Sequence, residues 1–104
     1  TRCFCYVADT VEALVRLQHT AAALGEVFNV GSTEEIAIRS LAGKVIALLE
    51  SKSVVQFISY QEAYAPGFED LRRRRPSVEK LARATGFRPL TSLAETIRRT
   101  AESV

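Results

Sequence analysis

A chain of 104 residues, 47% hydrophobic and 25% charged, has the composition of a globular domain and the length of one domain rather than two. No apolar run approaches ~20 residues and no leader pattern opens the sequence, so nothing in it predicts a membrane span or a secretory signal. The net charge of +2 is local: without Arg72 to Arg75 the 14 basic residues fall to 10 against 12 acidic ones, which favours a discrete site over a general polyanion surface.

The predicted elements alternate. Residues 4–7 read as a strand, and Thr1 leads into it without a methionine or a turn, as expected of a piece of a longer protein. Cys3 and Cys5 would share one strand face with Cα atoms ~6.6–6.8 Å apart, the far limit for a disulfide, so two reduced, buried thiols are expected. Asp9 is the expected N-cap of a helix in which Val11, Leu14, Val15 and Leu17 follow helical spacing. Gly25 closes the connection after the alanine run.

Residues 27–30 read as a second short strand, left through the turn-rich Asn29-Val30-Gly31-Ser32. A helix over 39–51 follows, with Leu41, Val45, Leu48 and Leu49 on one face. Gly43 inside it costs roughly 1 kcal/mol against alanine, which predicts close packing there. Residues 53–59, rich in Val54, Val55, Phe57 and Ile58, read as a third strand. A long loop spans 60–75, a length usually kept for function. Ser77 is the expected cap of a short helix with Leu81 and Ala84 inward, ended by Gly86. Ser92 and Glu95 have capping-box spacing and open a last helix with its stripe on Leu93, Ile97, Ala101 and Val104. Three short strands and four helices make an α/β piece, too small for a complete doubly wound sheet.

Several catalytic sets are missing. The five glycines, at 25, 31, 43, 67 and 86, stand at neither dinucleotide-fingerprint nor P-loop spacing. None of the tyrosines Tyr6, Tyr60 and Tyr64 has a lysine four residues on. His19, the single histidine, has no evident partner and reads as a surface residue, and no metal-ligand set accompanies the cysteines. By itself the chain is not expected to catalyse a reaction.

The loop instead combines Tyr60, Tyr64 and Phe68 with four arginines. Guanidinium forks match phosphate or carboxylate, and a ring can stack on a base. A solvated basic run beside a turn would have the same composition. A free-standing nucleotide- or RNA-binding module and a purely structural module stay open as alternatives on the residues alone.

Four segments in order carry a resemblance. Arg2-Cys3-Phe4-Cys5-Tyr6-Val7-Ala8-Asp9 resembles the R-x-F-x-Y-V-x-D segment that begins the carboxy-terminal half of extended short-chain dehydrogenases. Val27-Phe28-Asn29-Val30-Gly31 resembles their xFN(V/I/L)G strand exit. Asp70 to Ser77 is similar to their D-x-x-x-R-x-P-(D/S) loop, and Gly86-Phe87-Arg88-Pro89-Leu90-Thr91-Ser92-Leu93 to their LGW-x-P-x-(T/V)-x-L ending. The nearest branch is that of the NAD-dependent nucleotide-sugar epimerases, dehydratases and decarboxylases acting on UDP- or dTDP-sugars.

The resemblance implies that residues 1–104 are a carboxy-terminal substrate-binding domain lacking the Rossmann domain. Arg2 would reach the ligand's diphosphate, Arg74 would lie near the phosphates or sugar, and Phe68, where relatives often carry tyrosine, would stack on the base. Asn29 and Gly31 would be scaffold, and Arg72, Arg73 and Arg75 solvated or loop-ordering charges. No residue of this piece would be catalytic. NAD would be held mainly by the absent amino-terminal domain, with none expected in this piece and no metal. The partner would be a UDP- or dTDP-sugar rather than nucleic acid or membrane, in a cytoplasmic parent that dimerises through its amino-terminal half. The second helix departs from the family pattern: Ala37 and Ser40 replace its capping residues, at a cost of roughly 0.5–2 kcal/mol.

Overall fold

The computed structural model describes residues 1–58 and 74–104. Its elements are β1 (Arg2–Cys3), α1 (Val7–Gln18), a 3-10 turn (Ala21–Ala23), β2 (Glu35–Ile36), α2 (Ile38–Leu48), α3 (Glu79–Thr85) and α4 (Leu93–Glu102). The strands β1 and β2 pair antiparallel, Arg2 opposite Ile36 and Cys3 opposite Glu35. Helix α1 packs on α3 and α2 on α4. Ala13, Val78, Leu81, Pro89 and Leu93 are buried apolar side chains among the described residues. No described helix is long and apolar enough to cross a membrane.

The four helices form where helical spacing places them, whereas three strands do not. The pairing expected at 4–7 lies earlier, at Arg2–Cys3, and Val7 already belongs to α1. Residues 27–30 and 53–58 join no ladder among the described residues. A β-branched run becomes a strand only if a neighbour satisfies its amides and carbonyls. Here the Val27 carbonyl instead accepts from the Lys80 ammonium at 2.9 Å, and Val27 and Val54 stay 81% and 89% exposed. Ser59 and the loop over 60–73, with Tyr60, Tyr64 and Phe68, lie outside the described residues.

Helix α1 starts after Tyr6 with no side-chain cap, so Asp9 is not its N-cap. Asp9 sits in the first turn, where its charge complements the helix dipole, and its carboxylate accepts the Thr91 amide at 3.1 Å. On the exposed side, Glu12 and Arg16 pair at 2.8 Å one turn apart.

Ala37 stands at the N-cap of α2 without a side-chain bond, as its residue type dictates. The helix ends in a Schellman arrangement: the Ser51 amide donates to Ile46 O at 2.9 Å and the Glu50 amide to Ala47 O at 3.4 Å. That puts Glu50, not a glycine, at φ 51°. Among the described residues nothing beyond its own helix lies within 4 Å of the place a Gly43 Cβ would take, so the close packing expected there is not found among them.

Helix α3 begins after Val78 rather than at Ser77, and ends on Gly86 at φ 72°. Ser92 does cap α4, accepting the Glu95 amide at 3.1 Å. A second acceptor joins it, because Glu34 Oε2 takes the Leu93 amide at 2.9 Å. Two of the free amides of the α4 amino end are thereby satisfied, one of them from a distant loop.

Candidate functional site

The site grows from the β1 and β2 pair and the two segments that flank it. Ser32, 7% exposed, turns the chain by accepting the Glu34 amide on its hydroxyl at 3.1 Å. Gly31 is buried, and a Cβ there would stand 3.0 Å from Pro76 Cγ. Only a residue without a side chain lets this segment lie so close to the proline. Next to that contact Arg75 Nε donates to Thr33 O at 3.2 Å. Lys80 of α3 donates to Glu26 Oε2 at 3.3 Å and lies 4.9 Å from the Phe28 ring centroid. These contacts fasten residues 26–33 to residues 75–80.

Arg2 and Arg74 meet at one carbonyl, Arg2 through its side chain and Arg74 through its backbone. The Thr1 carbonyl accepts Arg2 Nη1 at 2.8 Å and the Arg74 backbone amide at 3.3 Å. The Thr1 hydroxyl donates to the Glu35 carboxylate, tying this junction to β2. Arg2 is half-buried, and Arg74 and Arg75 are exposed. Phe68 lies outside the described residues.

Beside the junction is an open hollow of about 320 Å³ lined by Thr33, Arg75, Pro76, Ser77, Val78 and Glu79. That is the low end of the range for small-molecule sites, enough for a phosphate-sized group. Glu79 would oppose an anion there, but Arg88 engages it with both fork nitrogens, each at 2.9 Å. The hydrogen bond and charge of Arg88 hold the Glu79 carboxyl below the usual carboxylate range. Its negative charge is therefore matched, and Arg75 is the cation among the residues that line the hollow.

The arrangement suits charge-assisted binding of an anion. Cys3 and Cys5 are half-buried, and Cys5 accepts from the Thr10 hydroxyl at 3.4 Å. His19 is exposed. Asn29 is exposed and makes no side-chain hydrogen bond among the described residues. Among the described residues no three His, Cys, Asp or Glu side chains cluster. The connections from β1 to α1 and from β2 to α2 contain no glycine, so neither offers the close backbone approach that a dinucleotide pyrophosphate needs.

Residue types did not announce Thr1, Thr33 or Arg88 as parts of this site. Two contribute backbone carbonyls, which leave no trace in residue type, and the Arg75 to Thr33 bond joins residues 42 apart. The Arg88 fork reaches nine positions back to Glu79, beyond the spacing at which helical partners are read.

No family model matches the chain. Individual proteins do. It is 34% identical over 100 residues to a UDP-N-acetyl-alpha-D-glucosaminuronate decarboxylase of Bacillus cytotoxicus, covering 96% of this chain and 31% of that protein. It is 31% identical over 108 residues to UDP-D-apiose/UDP-D-xylose synthase 2 of Arabidopsis thaliana, covering 95% and 28%. With UDP-glucuronic acid decarboxylase 1 of Danio rerio it shares 32% over 100 residues, covering 96% and 22%. The chain thus spans less than a third of the length of these curated relatives, matching a carboxy-terminal portion.

Proposed function

Since this chain belongs to the extended short-chain dehydrogenase family of NAD-dependent epimerases and dehydratases, we propose that it forms the wall of a sugar-nucleotide cleft in a longer enzyme. In this reading it holds the diphosphate of a UDP- or dTDP-sugar while the remainder of that enzyme carries the NAD and the reacting groups. The observation that carries the reading is the meeting of Arg2 and Arg74 at the Thr1 carbonyl.

The work of such a wall is orientation. The Arg2 guanidinium, hydrogen-bonded to the Thr1 carbonyl, loses little freedom when it donates to a phosphate, and a guanidinium fork selects a direction as well as a charge. Holding the diphosphate fixes where the sugar carbon lies, which lowers the barrier by removing translational and rotational freedom before the chemical step. The bonds from Arg75 to Thr33 and the Gly31 to Pro76 contact keep the segment carrying Arg74 in register with β1.

The test is calorimetric titration of UDP and UDP-glucuronate into the longer enzyme and its Arg74→Ala and Arg2→Ala variants. Each truncation is expected to weaken binding on the order of 10- to 100-fold, the loss of a charged hydrogen bond. Unchanged affinity in both variants would overturn the reading. Binding of an RNA oligonucleotide as tight as UDP, with a steep salt dependence, would favour a general polyanion-binding module instead.

A further inference from the structure

Ser77 has the residue type of a helix cap but not the work of one, because α3 starts after Val78. Its side chain is exposed, residues 74–78 form neither helix nor ladder, and its hydroxyl makes no hydrogen bond among the described residues. Arg74 and Arg75, both exposed, stand three and two positions ahead of it. Carboxylates in another protein's cleft can grip such guanidinium forks in two places at once. Charge patterns of this kind are what kinases read in the chains they modify.

The same stretch offers a seat for a phosphate carried on that hydroxyl. Ser77 and Arg75 line one open hollow of about 320 Å³ together with Thr33. The Thr33 carbonyl holds Arg75 Nε at 3.2 Å, which fixes one edge of the guanidinium, and its two terminal nitrogens take no partner among the described residues. A phosphate brings about −1.5 to −2 charges and three strong acceptor oxygens, and opposite arginine it gains one to three charge-assisted hydrogen bonds. Glu79 is the carboxylate in this hollow, and the Arg88 fork already matches its charge.

We infer that Ser77 is a phosphorylation site for an arginine-directed serine kinase, and that the phosphoserine seats on Arg75 in this hollow. In the transfer, Ser77 Oγ bonds to the γ-phosphorus of ATP, the bond from that phosphorus to the bridging oxygen breaks, ADP leaves, and the hydroxyl proton passes to the kinase's base. The seated phosphate neutralises the cation next to Arg74 and repels a second anion, so it blocks the diphosphate of a sugar nucleotide. That last consequence rests on the reading of this chain as the wall that holds the diphosphate.

The test treats the native longer enzyme with an arginine-directed serine kinase and magnesium ATP, and locates the phosphate by peptide mass spectrometry. Phosphate is expected on Ser77, entering at least tenfold more slowly in Arg75→Ala; its absence from Ser77 overturns the inference. Phosphorus NMR then follows the second ionisation of the phosphoserine, ordinarily near a pKa of about 6. Arg74 and Arg75 lower it and Glu79, matched by Arg88, opposes them little, so it should titrate lower in the native protein than in urea. Equal values would remove the seat on Arg75. Calorimetry should show UDP binding at least tenfold weaker after phosphorylation, with no change on kinase treatment of Ser77→Ala; unaltered binding by the phosphorylated enzyme sinks the block. An enzyme that binds no UDP even before treatment defeats the proposed function instead, while the mapping and the titration still decide the phosphorylation site.

Discussion

The carboxylate of Asp9 accepts the backbone amide of Thr91 at 3.1 Å, across 82 positions of sequence. It joins the first turn of α1 to the segment that leads into α4, and the contact is half-buried. Asp9→Ala leaves that amide without its partner, and a hydrogen bond to a charged group is worth roughly 1.5–3 kcal/mol. Asp9→Asn keeps an oxygen acceptor and is expected to cost about half as much. Urea unfolding of both variants checks this, and equal costs would show that the bond to Thr91 is not what Asp9 contributes.

Gly31→Ala is expected to destabilise by about 1–3 kcal/mol, because the new methyl meets the Pro76 ring at 3.0 Å in a buried place. The ring must yield, and with it the adjoining Arg74 and Arg75. The variant should therefore lose UDP affinity in the longer enzyme as well as thermal stability. A loss of stability with unaltered affinity would separate the glycine contact from the arginine placement.

Helix α2 offers two stabilising changes. Glu50 occupies the left-handed region at φ 51°, where a side chain costs about 1 kcal/mol or more that glycine avoids. Gly43, exposed in the helix interior with open space around it, weakens the helix by roughly 0.5–1 kcal/mol against alanine. Glu50→Gly and Gly43→Ala should each raise the urea midpoint. Their effects should add, since the two positions share no contact.

The Glu79 and Arg88 pair sets a pH dependence. The Glu79 carboxyl is held low first by the hydrogen bond from Arg88, then by its charge. A carboxylate whose pKa falls on folding contributes stability that is fully present above its unfolded pKa and is lost as pH falls through the folded one. The gap in Tm between the unaltered chain and Glu79→Gln should be constant at neutral pH. It should close as the pH drops below the ordinary glutamate range. Both groups are solvent-exposed, so the gap is small and shrinks in high salt.

The helices were legible because their evidence is local. Leu41 and Val45, or Leu93 and Ile97, recur with the helical period, and Ser92 with Glu95 spells its own cap. Strands were not legible in the same way: Val54, Val55 and Phe57 have strand chemistry, but a ladder is a property of two segments. The Phe57 ring instead lies under the Arg39 guanidinium, 4.5 Å from its centroid. Asp9 looked like a cap because carboxylates near helix starts usually are, and its partner lay 82 residues away. Arg2 and Arg74 could be paired beforehand only through a resemblance of motifs. Nothing in the spacing of two arginines 72 positions apart says that one carbonyl receives both.

The anchoring of α4 has a consequence for how the chain reaches its folded state. Its amino end is held by Glu34, 59 positions away from Leu93, and the segment before it by Asp9. Arg99 lies 5.3 Å from the centroid of the Tyr6 ring. Contacts of such long sequence separation form late, because the entropy of closing the loop is spent before they return anything. On a ribosome, which releases the amino end first, β1 and α1 emerge with their partners still unmade. Residues 93–104 then act as the latch that closes the domain, so their loss should delay or prevent folding rather than merely trim the surface.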